Sequence, residues 1–271
     1  MPMTHTLPEY ASWKYVPHHL FDEAGLAELR LAPAGPAEGV LHHHRSGERQ
    51  YLYNAFTAEP LPPEGDNACR ACGGAIERPD CAVCRRRRAF EQAYRDAERI
   101  VSAAREGRLY ALDTETTGLD ETAEVIELAL VSQRDGPKLD TLVRPSTPIP
   151  PEAQGVHGIT DEQVEGAPRW RDVAPKLTEA VGTEAVVVAW NAPFDARMLA
   201  QSSRAAGLTL PMPEVLCAMQ AYAIITGARR NRISLKKAAL ELNLKAEGPA
   251  HRAVFDAGLT LAVIERLAQR F

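Results

Sequence analysis

Short apolar runs separated by polar turns mark the strands that we predict in the C-terminal part of the chain. Their lengths and composition are typical of buried strands, and they cover residues 109–112, 125–131, 139–143 and 185–190. The first three follow one another through short connections, which predicts an antiparallel meander. The fourth is apolar throughout, as expected of a strand with both faces covered.

Helical spacing of apolar residues appears in the segments around these runs. It covers residues 90–104, 170–181, 216–226, 234–242 and 252–271. Thr160, followed three residues later by Gln163, predicts a capped helix start, and Asp195 falls in the first turn of a helix that opens at Asn191. Consecutive strands followed by alternating helices and strands predict an α/β fold, a mixed sheet flanked by helices.

Residues 1–68 are predicted to form a small module whose role the sequence does not indicate. Residues 40–43 and 50–56 have the composition of two strands that could pair across a turn. His42, His43 and His44 are consecutive, so from a strand they cannot all face one cation. Prolines and a glycine in residues 61–67 predict a linker.

Two closely spaced pairs of cysteines follow this linker. Cys69 and Cys72 form one pair, and Cys81 and Cys84 form the second. Four thiolates at this spacing predict one structural Zn²⁺ in a closed tetrahedral site; the alternative is four unligated thiols. With the helix that follows, they define a zinc knuckle and basic helix over residues 69–107, which gives the N-terminal part a small zinc-binding α+β module.

Four consecutive arginines, Arg85 to Arg88, begin that helix. A basic run next to a zinc knuckle favours contact with a nucleic-acid backbone. The alternative is a solvated helix start, which is disfavoured because positive charge opposes the helix dipole at this end. We therefore prefer the nucleic-acid interpretation.

Asp113 and Glu115 end the first predicted strand of the C-terminal part, in the sequence DTETTGL at 113–119. Residues two apart on a strand share a face, so the two carboxylates lie side by side. Like charges this close raise each other's pKa unless they share a cation, and Mg²⁺ takes such oxygen ligands. Alone, this pattern is equally typical of a strand that runs into a polar turn.

Three later residues favour a metal site over a simple polar turn. Asp195 lies just past a buried strand, and Asp256 lies in the last helix, five residues after His251. Five positions on one helix set side chains about 140° apart, so we expect His251 on the preceding loop or at the first turn. From there it could reach a site lined by Asp256. Taken singly, the two are more typical of an ordinary histidine and a solvated carboxylate.

The order Asp113, Glu115, Asp195, His251, Asp256 resembles the DEDDh (DnaQ-like) 3′–5′ exonuclease family, which includes the proofreading subunit of bacterial replicative polymerase. The matching motifs are DTETTGL at 113–119, VHGIT at 156–160, NAPFD at 191–195 and HRAVFD at 251–256. The resemblance covers residues 108–271 and implies a ribonuclease H-like exonuclease domain.

Two residues depart from the family pattern. Trp190 stands where a histidine is usual, and Cys217 stands where many members have aspartate. Neither position is a catalytic carboxylate, so the departures bear on pocket shape and substrate choice rather than on the reaction.

The resemblance also implies two-metal hydrolysis of phosphodiester bonds, with release of nucleoside monophosphates from 3′ ends. Two Mg²⁺ or Mn²⁺ ions would be held by Asp113, Glu115, Asp195 and Asp256, with His251 as general base. Contacts with the substrate are implied for Thr116, Gly118, Leu119, Glu152, His157 and Phe194. Leu119 is expected to wedge against the terminal base, whereas Phe194 is equally typical of base stacking and of core packing.

Composition is compatible with these expectations. The chain has 271 residues, a net charge of −5, 45% hydrophobic and 25% charged residues, as in ordinary globular proteins. No signal peptide or membrane-spanning run is visible, so we expect a cytoplasmic protein without a membrane partner. Expected partners are single-stranded or 3′-ended DNA, slightly favoured over RNA, and a polymerase or repair protein. A zinc-dependent nucleic-acid-binding or adaptor protein with a vestigial exonuclease domain stays open.

Overall fold

The computed structural model describes residues 9–10, 20–21, 23–28, 31–33, 37–42, 49–55, 58–60, 82–226, 233–246 and 251–269. The chain divides into two compact units, residues 1–95 with 223–231, and residues 96–222 with 232–271. Three predicted zinc ligands, Cys69, Cys72 and Cys81, and the predicted linker lie outside the described residues, and the side chain of Cys84 is not described. The zinc site therefore stays a prediction.

The described residues of the N-terminal unit form two small sheets and a short helix, α1 (Glu23–Glu28). Its strands are β1 (Glu9–Tyr10), β2 (Leu20–Phe21), β3 (Leu31–Ala32), β4 (Gly39–His42), β5 (Arg49–Asn54) and β6 (Glu59–Pro60). One sheet has the order β1-β4-β5-β2, and β3 pairs with β6 in the other. The antiparallel pairing of β4 with β5 confirms the predicted strand pair. A small core forms around Leu26, Leu31 and Ala55.

The basic run begins a long helix, α2 (Ala82–Glu106). Arg85 and Arg88 are exposed on it. Towards its other end, Ala97, Ile100 and Ala104 are buried, which agrees with the predicted helical spacing.

Five strands form the sheet of the second unit. They are β7 (Leu109–Thr116), β8 (Val125–Ser132), β9 (Gly136–Leu142), β10 (Val186–Ala189) and β11 (Val215–Cys217), in the order β11-β10-β7-β8-β9. β7, β8 and β9 pair antiparallel, which confirms the meander. β10 pairs in parallel with both β7 and β11. The sheet is therefore mixed, as predicted, and β7 is its central strand.

Helices connect and follow these strands. They are α3 (Pro151–His157), α4 (Asp161–Val164), α5 (Trp170–Ala180), α6 (Ala192–Ala205), α7 (Ala218–Thr226), α8 (Leu235–Glu241) and α9 (Ala253–Ala268). The predicted capping box is present at α4, where the Thr160 N–H donates to Gln163 Oε1 at 2.8 Å. Among the described helices, none combines the length and apolar character that crossing a membrane requires.

Two elements differ from the sequence predictions. Residues 215–217 form β11, because they pair with β10 along the sheet edge instead of beginning the helix predicted from residue 216. Helix α3 covers residues for which no helix was predicted. It starts at Pro151, and proline is well tolerated there because the first N–H groups of a helix have no intrahelical partner.

The main core lies between the sheet and helices α5 and α6. Leu128 and Leu130 of β8 pack there with Leu177 of α5 and Met198 of α6. All eight residues of β8 are buried, and α9 also packs on β7 and β8. Burial of these two strands makes the centre of the sheet a rigid support for the residues that β7 carries.

Truncation of the core should test this support. Leu130 is fully buried, so Leu130→Ala is expected to lower the free energy of unfolding by about 2–5 kcal/mol through lost burial and a residual cavity. Urea denaturation measures the change. The matched surface variant Lys176→Ala on α5 should change it by about 0.5 kcal/mol or less, and equal effects would contradict the proposed core.

Candidate active site

Strand β7 carries two of the predicted acids on one face. Asp113 and Glu115 lie two residues apart and are both half-buried. In the register with β8, Asp113 stands opposite Ala129 and Glu115 stands opposite Glu127. Because alternate residues of a strand share a face, the carboxylates of Asp113 and Glu115 point to the same side of the sheet.

Asp195 reaches the same region from the helix that follows β10. It lies in the first turn of α6, as predicted, and only 3% of it is exposed. Its Oδ1 accepts a hydrogen bond from Thr114 Oγ1 at 2.9 Å. Because Thr114 lies between Asp113 and Glu115, this bond ties Asp195 to the strand that carries the other two acids.

His251 and Asp256 complete the group from the beginning of α9. Asp256 lies in the first turn and His251 on the preceding turn, where we expected it. The His251 N–H donates to Asp256 Oδ2 at 3.3 Å, and the His251 φ is 61°. This left-handed backbone costs about 1–3 kcal/mol for a non-glycine residue. One ligand atom from each of Glu115, His251 and Asp256 lies within 4.8 Å of the others.

Burial raises the pKa of all four acids, and neighbouring carboxylates raise it further for Asp113, Glu115 and Asp256. Burial, followed by the charge of Asp195 and of other neighbouring carboxylates, raises the pKa of Asp113 well above its usual range. The same two causes raise the pKa of Glu115 to about 8. Burial raises the pKa of Asp195 to about 7, although hydrogen bonds oppose it, and burial also raises the pKa of Asp256.

These raised pKa values show how the group would respond to a divalent cation. Four carboxylates that converge can all ionise at neutral pH only if positive charge is added, and Arg252 lowers the pKa of Glu115 only in part. Carboxylate oxygens are the hard ligands that Mg²⁺ and Mn²⁺ bind. The chemistry of these donors therefore fits a divalent metal.

Three of the predicted substrate contacts lie at the last residue of β7 and in the loop that follows it. Thr116 is buried, and its Oγ1 donates to the Gly118 carbonyl at 2.7 Å, so this hydroxyl supports the turn. Gly118 is half-buried. Leu119 is 77% exposed, which leaves most of its apolar side chain available to a ligand.

Helix α6 holds the loop that bears Leu119. Arg197 Nη1 donates to the Leu119 carbonyl at 3.2 Å, and Gln201 Nε2 donates to the Ala123 carbonyl at 2.6 Å. The Arg197 guanidinium also lies 5.5 Å from the centre of the Phe194 ring, a cation–π contact. Phe194 is half-buried and packs against the main core, so packing accounts for part of its surface and the rest is accessible.

The other two predicted contacts lie on α3. Glu152 is exposed in its first turn. His157 is buried at its end, where its Nδ1 accepts a hydrogen bond from the Ile159 N–H at 3.0 Å. Burial lowers the pKa of His157. Its Nε2 is buried near the Thr116 backbone and makes no hydrogen bond of normal geometry with the described residues.

One further acid lies in this region, Glu127, which was not predicted from the sequence. It is 1% exposed in β8, and its charge contributes to the raised pKa values of Asp113, Glu115 and Asp256. The available signal was a lone carboxylate in the otherwise apolar strand sequence VIELALVS. A charge at such a position is seldom buried without a specific partner.

The two departures from the family pattern contact each other rather than the acids. Trp190 Nε1 donates to the Ile233 carbonyl at 3.0 Å, and its ring meets the Tyr222 ring edge-on at 6.0 Å. Cys217 Sγ donates to the Trp190 carbonyl at 3.5 Å. These contacts hold the end of β10, from which α6 and Asp195 follow.

Metal-free protein is expected to lose stability as the pH rises. The folded-state pKa values of Asp195 and Glu115, about 7 and about 8, exceed the values of roughly 4 for unfolded Asp and Glu. Their protonated forms therefore favour the folded state, and this contribution is lost as the pH rises through 7 and 8. The melting temperature should fall between pH 6.5 and 8.5, and Mg²⁺ should restore it at pH 8.5.

Two variants control this measurement. Asp195→Asn removes the titration of Asp195 and should reduce the fall in melting temperature. Asp172→Asn, on the exposed face of α5, should leave that fall unchanged. A fall of the same size in Asp195→Asn and in the unmodified protein would contradict the assignment.

Comparison with known proteins agrees with this geometry. The exonuclease family model matches residues 110–264, more than half of the chain. An uncharacterized exonuclease, CP81, of Escherichia phage 186 is 37% identical over 169 residues, which cover 58% of this chain and 87% of that protein. Exodeoxyribonuclease 10 of Escherichia coli K12 is 34% identical over 163 residues, which cover 58% of this chain and 66% of that enzyme.

The fold is also similar to a solved nuclease domain. The nuclease domain of 3′hExo, a DEDDh family member bound to rAMP, superposes with a TM-score of 0.53 at 18% identity, over 60% of this chain and 92% of that one. This likeness confirms the ribonuclease H-like fold. The family match shows that the chain belongs to the exonuclease (RNase T/DnaQ-like) family.

Proposed function

We propose that this protein is a metal-dependent 3′–5′ exonuclease that hydrolyses phosphodiester bonds at the 3′ ends of DNA and releases nucleoside monophosphates. The convergence of five residues from distant parts of the chain carries the proposal. They are Asp113 and Glu115 on β7, Asp195 on α6, His251 before α9 and Asp256 within it. A cluster of partly buried carboxylates is costly without a cation, so the arrangement supports metal-assisted hydrolysis.

The four acids would hold two divalent ions. Bound Mg²⁺ or Mn²⁺ would lower the pKa of a water molecule and offset the negative charge that develops on the phosphate. Asp113 and Glu115 are fixed by the central strand, and the Thr114 hydroxyl fixes the Asp195 carboxylate at 2.9 Å. Ligands on regular elements keep their positions better than ligands on loops, which suits these acids to a defined metal geometry.

His251 would take the proton of the attacking water at a ring nitrogen. Its side chain is exposed, and one of its ring nitrogens lies within 4.8 Å of carboxylate oxygens of Glu115 and Asp256. A neutral imidazole has a ring nitrogen that can accept a proton. A general base of this kind typically contributes about 10²–10⁴-fold to the rate.

The substrate's terminal nucleotide would lie against the loop after β7. Leu119 would press on the terminal base, while Thr116 and Gly118 shape the loop beneath it. Phe194 would offer the accessible part of its ring to the next base. For Glu152 and His157 we propose contacts to the same nucleotide, supported by their match to the family pattern and, for Glu152, by its exposed side chain.

DNA is the substrate that we favour. The support is that two relatives are named exodeoxyribonuclease 10 and, in Treponema pallidum, DNA polymerase III subunit epsilon, which is 35% identical over 153 residues. The second name also supports a polymerase or repair protein as partner. Degradation of matched DNA and RNA oligonucleotides, single- and double-stranded, tests the preference.

The N-terminal part would assist substrate binding. We propose that Cys69, Cys72, Cys81 and Cys84 hold Zn²⁺ and that the following arginines contact the nucleic-acid backbone, with Arg85 and Arg88 exposed for it. The corresponding division of the chain is residues 1–68, 69–107 and 108–271.

Asp113→Asn should abolish degradation from 3′ ends, because it removes a metal ligand without changing side-chain size. Release of mononucleotides from a 3′-labelled oligonucleotide with Mg²⁺ or Mn²⁺ measures it. Asp172→Asn should retain full activity. Binding of oligonucleotides by unmodified protein without any metal-dependent cleavage would reject the enzyme and favour the adaptor alternative.

Leu119→Ala should raise KM several-fold with a smaller effect on kcat, because the wedge contributes apolar contact with the base and no chemistry. Leu240→Ala provides the matched control, since Leu240 on α8 is also an exposed leucine, at 57%. Steady-state kinetics on a single-stranded oligonucleotide compares the two. Equal KM values for both variants would contradict the contact.

A further inference from the structure

The buried carboxylate of Glu127 accepts hydrogen bonds from the residues that follow His251, the proposed general base. Arg252 donates to Glu127 Oε1 through both Nε, at 2.9 Å, and Nη2, at 2.7 Å. The Ala253 N–H donates to Glu127 Oε2 at 2.9 Å. Both oxygens are therefore occupied by the two residues that directly follow His251.

The cost of burying this carboxylate indicates that it has a specific task. Glu127 is 1% exposed and stands opposite Glu115 in the sheet. Removing a charge from water beside other acids is unfavourable, and an apolar pair of similar volume is often at least as stable as a buried ion pair. The Arg252 side chain is 43% exposed, so this pair links the buried strand to the surface turn.

The turn that contains His251 requires contacts that fix its conformation. His251 has the left-handed backbone described above, and its N–H is held by Asp256. Strained conformations of this kind persist only where the surrounding contacts fix them. Asp256 fixes His251 from the helix side, and Glu127 fixes the two residues that follow His251 from the sheet side.

We propose that Glu127 is a positioning residue that holds the His251 turn in place through Arg252 and the Ala253 N–H. The inference rests on the proposed function, in which His251 takes the proton of water. Glu127 touches neither substrate nor water in this role. It acts by keeping the imidazole directed at the acids.

Glu127→Gln tests the proposal, because it keeps the side-chain size and one oxygen acceptor but loses the charge that Arg252 binds. We expect kcat to fall about 10–100-fold, the range for groups that orient the ligands of a metal site, with KM changed less than about threefold. Glu214→Gln is the matched control, since it breaks the Arg99–Glu214 pair at 2.8 Å, where both side chains are largely exposed. It should leave kcat unchanged.

A double-mutant cycle separates positioning from general loss of structure. If Glu127 acts through His251, Glu127→Gln should have little further effect on kcat in protein that already carries His251→Ala. An equal fall in both backgrounds would overturn the proposal, and so would an unchanged kcat in Glu127→Gln alone. If Glu127→Gln does not fold, Arg252→Gln tests the same contact from the surface. It should lose more activity than Arg252→Lys, and equal activities would overturn the proposal.

Hydrogen exchange provides a readout that does not need catalysis. The amides of residues 251–256 should exchange faster in Glu127→Gln, or in Arg252→Gln, than in the unmodified protein and in Glu214→Gln. Unchanged exchange rates would show that Glu127 does not hold this turn, even if the enzyme were fully active. If the unmodified protein cleaves no nucleic acid, the proposed function fails, while the exchange rates still decide whether Glu127 holds the turn.

Discussion

Asp113, Glu115, Asp195 and Asp256 cannot share one partly buried region as four free anions without a large electrostatic cost. Burial and mutual repulsion raise the pKa of Glu115 to about 8, and burial raises that of Asp195 to about 7. A divalent cation bound by these oxygens would favour the ionised acids, because its attraction for each carboxylate would outweigh the repulsion between them. The four acids therefore lower the free energy of unfolding of the metal-free protein, and burial of the core must compensate for this loss.

Sheet topology explains why acids so far apart in the sequence meet. β10 runs parallel to β7, so the carboxyl ends of both strands lie at one edge of the sheet, where ligand sites of α/β folds are usual. Glu115 lies near the end of β7, and Asp195 begins the helix just after β10. Helix α9 packs across β7 and β8, which brings Asp256 to the same edge.

The sequence predicted the acids better than it predicted their surroundings. Alternation on a strand placed Asp113 and Glu115 on one face, and helical geometry placed His251 before α9 rather than within it. β11 was missed because three apolar residues next to a helix have no signal of their own; their strand state depends on pairing with β10. The role of Glu127 was hidden for the same reason, since its partners Arg252 and Ala253 lie about 125 residues further along the chain.

The four acids and His251 occupy different kinds of position, and the roles that we propose for them account for the difference. Metal ligands need fixed distances, and Asp113, Asp195 and Asp256 stand on a strand or in the first turns of helices. In the proposed mechanism a base would also return its proton to solvent after each cycle, which fits the exposed side chain of His251. An exposed turn gives that access but little rigidity, and the left-handed backbone makes this one less stable still. Contacts from the sheet can supply rigidity, because β8, which carries Glu127, is buried along its whole length.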